Sequence, residues 1–247
     1  MFNLIKVELN KLKTSKTLYL CVFLNLLQSI LVYTFSDKLQ LMGGKESLFY
    51  LLGIQGALAL NILIGIFVSD HIVIEFTSGY IKNFISYGHK RINIFVSKII
   101  ACYVGTMIIT FMPPLIISGI NSKINGYGEV FCFNSLIFLL KTILIMIIIY
   151  ISIASVFVLI AFVCKNINIS IIIVVGLDFM NRIFEIMSVQ KPSLRWIAGK
   201  FIFGQSTIML SDKVTRGEIL QAVIMGIVTI IITTLVGIYV FKNSDIK

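Results

Sequence analysis

Polar residues divide this chain into long apolar blocks. Neither the two-residue alternation of a half-buried strand nor the three-four spacing of a surface helix runs through them. The first block, LYLCVFLNLLQSILVYTF, covers 18–35. Five more lie at about 48–68, 94–118, 142–163, 169–189 and 219–241. A helix needs roughly 20 apolar residues to cross the hydrocarbon of a bilayer, and each block is near that length. The pattern predicts an all-α polytopic membrane protein with six transmembrane helices, forming one domain over 1–247.

The segments between the blocks refine this layout. Residues 1–16 are polar and basic, with Lys6, Lys11, Lys13 and Lys16. No small-x-small cleavage site closes the first block, so it reads as an uncleaved span with the N-terminus inside. In 69–93, Ile74, Ile81, Phe84 and Ile85 can share one face of a short amphipathic helix lying on the membrane surface, punctuated by Gly79 and Gly88. Lys98, near the start of span three, is expected to snorkel toward water. Pro113 and Pro114 are expected to break or kink that span's outer end. The apolar run over 131–163 is too long for one untilted span. Two arrangements fit it: an interfacial helix before Lys141 followed by a span at 142–163, or one long tilted helix. Residues 190–218 read as a partly re-entrant outer segment between spans five and six, with Trp196 flanked by Arg195 and Lys200 near the interface.

Composition agrees. The hydrophobic fraction is 58 % and the charged fraction 13 %, with a mean hydropathy of +1.00. That excludes a disordered chain, a coiled coil and a small disulfide scaffold, and argues against a water-soluble enzyme. The net charge of +10 does not indicate nucleic acid, because the basic residues flank apolar blocks, where they orient helices against anionic lipid. With the N-terminus inside, 11 Lys and Arg fall on the inner side and eight on the outer, a mild bias in the expected direction. Cys21, Cys102, Cys132 and Cys164 form no CxxC pair and read as isolated small hydrophobes.

Motif searches exclude several chemistries. The chain has no GxxxxGK[ST] phosphate loop, no HExxH and no GxSxG elbow, and His71 and His89 read as loop histidines. Two features stand out. Asp178, Arg182 and Glu185 lie at i, i+4 and i+7 within span five, close enough to share a helix face near mid-bilayer. Charge at that depth must be paired or wet, so the trio is either the polar lining of a translocation path or an ion cluster that holds the bundle together. The second feature is 69–93, whose glycines, polar pairs and basic end (Lys90-Arg91) suit either a connecting loop or a docking element for a cytosolic partner.

Three stretches resemble the membrane subunits of the type-2 ABC exporter superfamily. FNLIKVELNKLKTSKTLYL is similar to the amphipathic elbow helix that precedes their first span. FVSDHIVIEFTSGYIKNFISYGHKRINIFVSKII resembles their most recognisable region, through Phe67, Asp70, Glu75, Gly79, Lys82, Asn83, Gly88 and Arg91. The ending YVFKNSDIK resembles theirs, with Asn-Ser where two basic residues are common. The resemblance implies a non-catalytic permease that binds no cofactor itself. It implies two such subunits, alike or different, forming the transmembrane core, and separate cytosolic ATP-binding subunits carrying ATP and Mg2+. Asp70, Glu75, Gly79, Lys82, Asn83, Gly88 and Arg91 would belong to the cytoplasmic coupling helix and its surroundings. The expected location is a bacterial plasma membrane with both termini cytoplasmic. The expected cargo is amphipathic or peptide-like, as in antimicrobial-peptide or lantibiotic immunity. A stand-alone carrier or channel and a non-transporting scaffold or sensor are the competing functions.

Overall fold

The structure, a computed structural model, describes residues 1–129, 132–190, 201–208 and 215–244. Its helices are α1 (Phe2–Thr14), α2 (Lys16–Phe35), α3 (Asp37–Leu41), α4 (Gly44–Ala57), α5 (Leu60–Thr77), α6 (Tyr80–Ser86), α7 (Arg91–Asn125), α8 (Phe133–Cys164) and α9 (Ile167–Gln190), then a 3-10 turn (Ile202–Gly204), α10 (Gln205–Ile208) and α11 (Arg216–Asn243). Six of them, α2, α5, α7, α8, α9 and α11, are long and apolar enough to cross a membrane, making this an all-α protein with six transmembrane helices. The bundle has a near end, which carries α1 and α6, and a far end, which carries α3 and the start of α4.

α1 turns Leu4, Glu8 and Leu12 inward, one residue per turn. Ser15 then redirects the chain: its hydroxyl accepts from the Leu18 amide at 3.2 Å and starts α2. This is the elbow expected from the sequence.

Span two differs from its expected form. The block over 48–68 is not one helix but the meeting of two, α4 and α5, interrupted at Leu58 and Ala59. α5 then continues to Thr77, so 69–77 belongs to the span and not to a surface helix. Ile74 lies exposed on α5, while Ile81 is fully buried on α6, so the two do not share a face. The surface helix is only α6, framed by Gly79 (φ 76°) and Gly88 (φ 82°), backbone conformations that side chains disfavour.

Of the two effects expected from Pro113 and Pro114, a break does not occur: α7 runs through both without ending. Each proline lacks an amide, so the carbonyls of Ile109 and Thr110 lose their i+4 partners. Two buried side-chain amides replace them. Asn25 Nδ2 of α2 donates to Ile109 O at 2.8 Å, and Gln55 Nε2 of α4 donates to Thr110 O at 3.1 Å. A buried carbonyl left without a donor costs about 1–3 kcal/mol, enough to explain why both gaps are filled by polar residues in an apolar setting.

α8 adopts the long-helix alternative, one element of 32 residues. Of the re-entrant segment, 191–200 and 209–214 lie outside the described residues. The described piece, 201–208, enters the bundle: the Phe203 ring lies 5.7 Å from Phe157, and Ser206 meets Gly56 where a Cβ would not fit. At the near end, the rings of Phe76, Phe95, Phe162 and Phe241 interlock, with centroids 4.6 Å apart for Phe95–Phe162 and 5.2 Å for Phe162–Phe241. This knot joins α5, α7, α8 and α11. The far end has a separate small core of Leu39, Leu51 and Ile117.

Candidate functional site

The near end buries an ion network between three elements. Lys98 of α7 is 0 % exposed, Glu8 of α1 1 % and Glu75 of α5 4 %. Lys98 Nζ lies 2.5 Å from Glu75 Oε2 and 3.4 Å from Glu8 Oε1. Lys11 Nζ, on α1, lies 2.8 Å from Glu75 Oε1 and 3.0 Å from Glu8 Oε1. His71 Nε2 approaches Glu8 Oε2 at 3.4 Å. Two carboxylates thus face two ammonium groups, and the charges cancel inside the protein. Ions withdrawn from water are stable only in such a matched arrangement. Burial alone would raise the Glu8 pKa, but the His71 hydrogen bond and the Lys98 and Lys11 charges outweigh it and hold it at about 2. Burial works to lower Lys11, and its bonds and charge attraction to Glu75 and Glu8 push it above its ordinary value.

The network reaches the surface helix. The Lys11 ammonium sits 5.2 Å from the Phe84 ring and 5.8 Å from the Tyr80 ring, both on α6, within cation–π range. α6 buries Ile81 and presents Lys82, Asn83 and Ser86 to the outside, and Tyr87, His89 and Lys90 lie exposed just beyond it. On its other side Arg91 begins α7. Its Nη1 donates to the carbonyls of Lys242 and Ser244, both at 2.8 Å, and of Phe241 at 3.3 Å. A guanidinium there satisfies the orphan carbonyls of α11 and opposes its negative dipole end.

The segment predicted from sequence therefore separates into roles. Lys82 and Asn83 are exposed, and Gly79 and Gly88 set the turns. Glu75 faces the interior, Arg91 grips α11, and Asp70 accepts from Thr17 Oγ1 of α2 at 2.5 Å. Two expectations are corrected. Lys98 does not snorkel, because two carboxylates from other elements meet it inside. His71 is not an exposed loop histidine but a buried residue of α5, stacked on Phe67 at 5.8 Å.

A second polar group closes the break in span two. Asp178 of α9 is 2 % exposed; it accepts from Arg182 Nε at 2.7 Å and from Asn61 Nδ2 at 2.9 Å. Arg182 donates onward from Nη1 to Ala57 O at 2.6 Å and from Nη2 to Leu58 O. The last carbonyls of α4 are thereby bonded to a cation fixed by its own counter-ion. Glu185 accepts from Asn181 at 3.1 Å. Close approach makes the clasp possible: a Cβ at Gly65 would run into the Val174 side chain, so the glycine lets α5 and α9 meet this closely. Sequence reading found Asp178 and Arg182 but missed Asn61, Glu8, Lys11, Asn25 and Gln55. The available signal was a polar residue recurring within an otherwise apolar stripe.

Among the described residues, no group of three His, Cys, Asp or Glu is placed to hold a metal ion. Six spans, polar clusters turned inward and a short exposed helix at one end define a polytopic helical membrane protein. The family model for ABC-2 family transporter protein matches residues 4–181, well over half of the chain. The chain belongs to that family. No curated protein matches it.

Proposed function

We propose that this chain is the permease subunit of an ATP-driven exporter, moved by separate cytosolic ATP-binding subunits that seat on α6. The observation that carries the reading is how α6 is held. It offers a basic, aromatic surface outward, while Lys11 behind it, Gly79 and Gly88 beside it, and the Glu75–Lys98 and Arg91–α11 contacts tie its flanks to spans two, three and six. A push on α6 then reaches four elements at once, through the Lys11, Glu75–Lys98 and Arg91 contacts. In this reading Lys82, Asn83, Tyr87, His89 and Lys90 touch the partner. Asp70, Glu75, Gly79, Gly88 and Arg91 position them. ATP and Mg2+ belong to the partner, both termini are cytoplasmic, and the membrane is a bacterial plasma membrane. A second permease subunit, identical or different, completes the core. The apolar interior suits an amphipathic or peptide-like cargo such as an antimicrobial peptide.

One observation favours a stand-alone carrier: the apolar block of span two is interrupted at Leu58 and Ala59, and broken helices are common in ion-coupled carriers. Yet the half-helix carbonyls that would bind a coupling cation already hold Arg182. The test is purification of the tagged protein from its native membrane in mild detergent, with mass spectrometry and an ATP-turnover assay. A co-purifying subunit with a phosphate-binding loop and nucleotide turnover is expected. An intact protein that emerges alone and without nucleotide-dependent activity overturns the proposal.

A further inference from the structure

Two backbone interruptions lie at one depth. Asn25 is midway along α2, and it reaches Ile109, midway along α7. Gln55 reaches the next carbonyl of α7 and stands just before the break at Leu58 and Ala59. The prolines of α7 and the break in span two are therefore neighbours across one plane.

The far side of that plane is tied together as a unit. The Gly44 and Lys45 amides donate to Gly126 O and Tyr127 O at 3.0 and 3.1 Å. Lys45 pairs with Glu129 at 2.7 Å. Asn121 Nδ2 donates to Leu39 O at 2.9 Å, and Asn125 Nδ2 to Met42 O at 3.1 Å. Its core of Leu39, Leu51 and Ile117 is distinct from the main core, which includes Leu60 and Ile109. At the plane itself, Asn25 Oδ1, Gln28 Nε2 and Thr110 Oγ1 are buried without a hydrogen-bond partner.

We propose that Asn25 and Gln55 are the latch of a hinge within the bundle, on which α3, α4 and the far third of α7 swing as one body about Pro113–Pro114 and Leu58–Ala59, a swing that also has to release Tyr150 Oη from Leu52 O and Arg182 from Ala57 O and Leu58 O. The two side-chain amides stand in for the two backbone amides that proline lacks. They saturate the two carbonyls that the prolines leave open and, with Asn25 Nδ2 also donating to Gln55 Oε1 at 3.3 Å, tie α2, α4 and α7 together; unlike backbone amides they can let go. A proline kink commonly exceeds 20°. The arm from Pro114 to Asn125 is about 17 Å long at 1.5 Å per residue, so a 20° swing moves its tip by about 6 Å. Such motion gives the far half of the bundle a freedom that the ion network denies the near half. The hinge stands independently of the transport reading, and its test reads no transport.

The test is a spin-label distance between Ile124→Cys, exposed at the far end of α7, and Leu220→Cys, exposed at the far end of α11, with Cys132→Ser and Cys164→Ser, in lipid nanodiscs. The parent should give a broad or two-peaked distribution spread over about 6 Å, the tip displacement of a 20° kink. Pro113→Ala with Pro114→Ala restores both amides and should leave one narrow peak. Asn25→Leu with Gln55→Leu should shift the population toward the swung arm, and should do nothing once both prolines are alanine. The proposal is overturned if the proline-to-alanine variant matches the parent, or if losing the amides acts equally in both backgrounds. The proline-to-alanine variant gains hydrogen bonds, so its comparison with the parent holds even if the leucine variant does not fold.

Discussion

Replacing Lys98 by Met tests the near-end network at its centre. Lys98 is fully buried between Glu75 at 2.5 Å and Glu8 at 3.4 Å. Methionine fills much of the same volume but leaves two buried carboxylates facing the single ammonium of Lys11. Removing one partner of a buried ion pair costs about 3–5 kcal/mol, mostly through the charge left behind. For a chain of this length, that corresponds to a fall in Tm on the order of 10 °C. The loss should be reversible by charge balance: Lys98→Met with Glu75→Gln should regain at least half of it, since one carboxylate then faces one ammonium. Lys11→Met should cost less, because that side chain is 34 % exposed and water screens it. Lys6→Met and Lys13→Met, on the exposed side of α1, should change nothing. Thermal unfolding in detergent, followed by size-exclusion of the surviving monodisperse protein, reads all five variants. If Lys98→Met behaves like Lys6→Met, or if Glu75→Gln does not compensate, the buried network does not hold α1 to α5 and α7.

Two further outcomes follow from the same reasoning. Arg182→Met leaves Asp178 with Asn61 alone and uncovers Ala57 O and Leu58 O; because the Arg182 side chain is 34 % exposed and partly screened by water, it should lower stability by about 1.5–3 kcal/mol. Asp178→Asn keeps Arg182 on its carbonyls and should cost about 1–2 kcal/mol in the same melting assay. Acid should loosen α1 before base does. The Glu8 carboxyl is held at about 2 against an ordinary 4.5, so its contribution, roughly 3 kcal/mol, is complete above pH 4.5 and lost as the pH falls toward 2. Lys11 is raised above 10.5, so its contribution is present below that pH and lost only at higher values. A Tm profile should therefore be flat in this respect near neutrality and fall on acidification, and Glu8→Gln should remove that part of the fall.

The number of spans, the elbow and α6 were readable because each depends on local properties: block length, a polar basic stretch, and glycines that permit positive φ. The apolar run over 131–163 left its two arrangements open, since length alone does not distinguish a tilted helix from a kinked pair. What escaped were pairings between elements far apart in sequence. Glu8 sits on α1 between Leu4 and Leu12 and looks like a break in an apolar stripe until Lys98, 90 residues on, is seen beside it. Pro113–Pro114 signalled a break correctly by local rules, but Asn25 and Gln55 bridge it from other helices. The break in span two had no marker of its own. Leu58 and Ala59 are ordinary helix formers, and it is Arg182, on a distant helix, that makes their non-helical backbone stable in a membrane.

The central claim, that α6 is where an ATP-binding partner drives the bundle, is tested most directly by a photo-cross-linking residue at Tyr87, exposed just beyond α6, with the same residue at Ile124 at the opposite end as control. The account predicts a cross-link from position 87 to an ATP-binding subunit, with a yield that changes when nucleotide is added, and none from position 124. Absence of any cross-link from 87 in an assembly that contains the ATP-binding subunit, or equal yields from both ends, would contradict it.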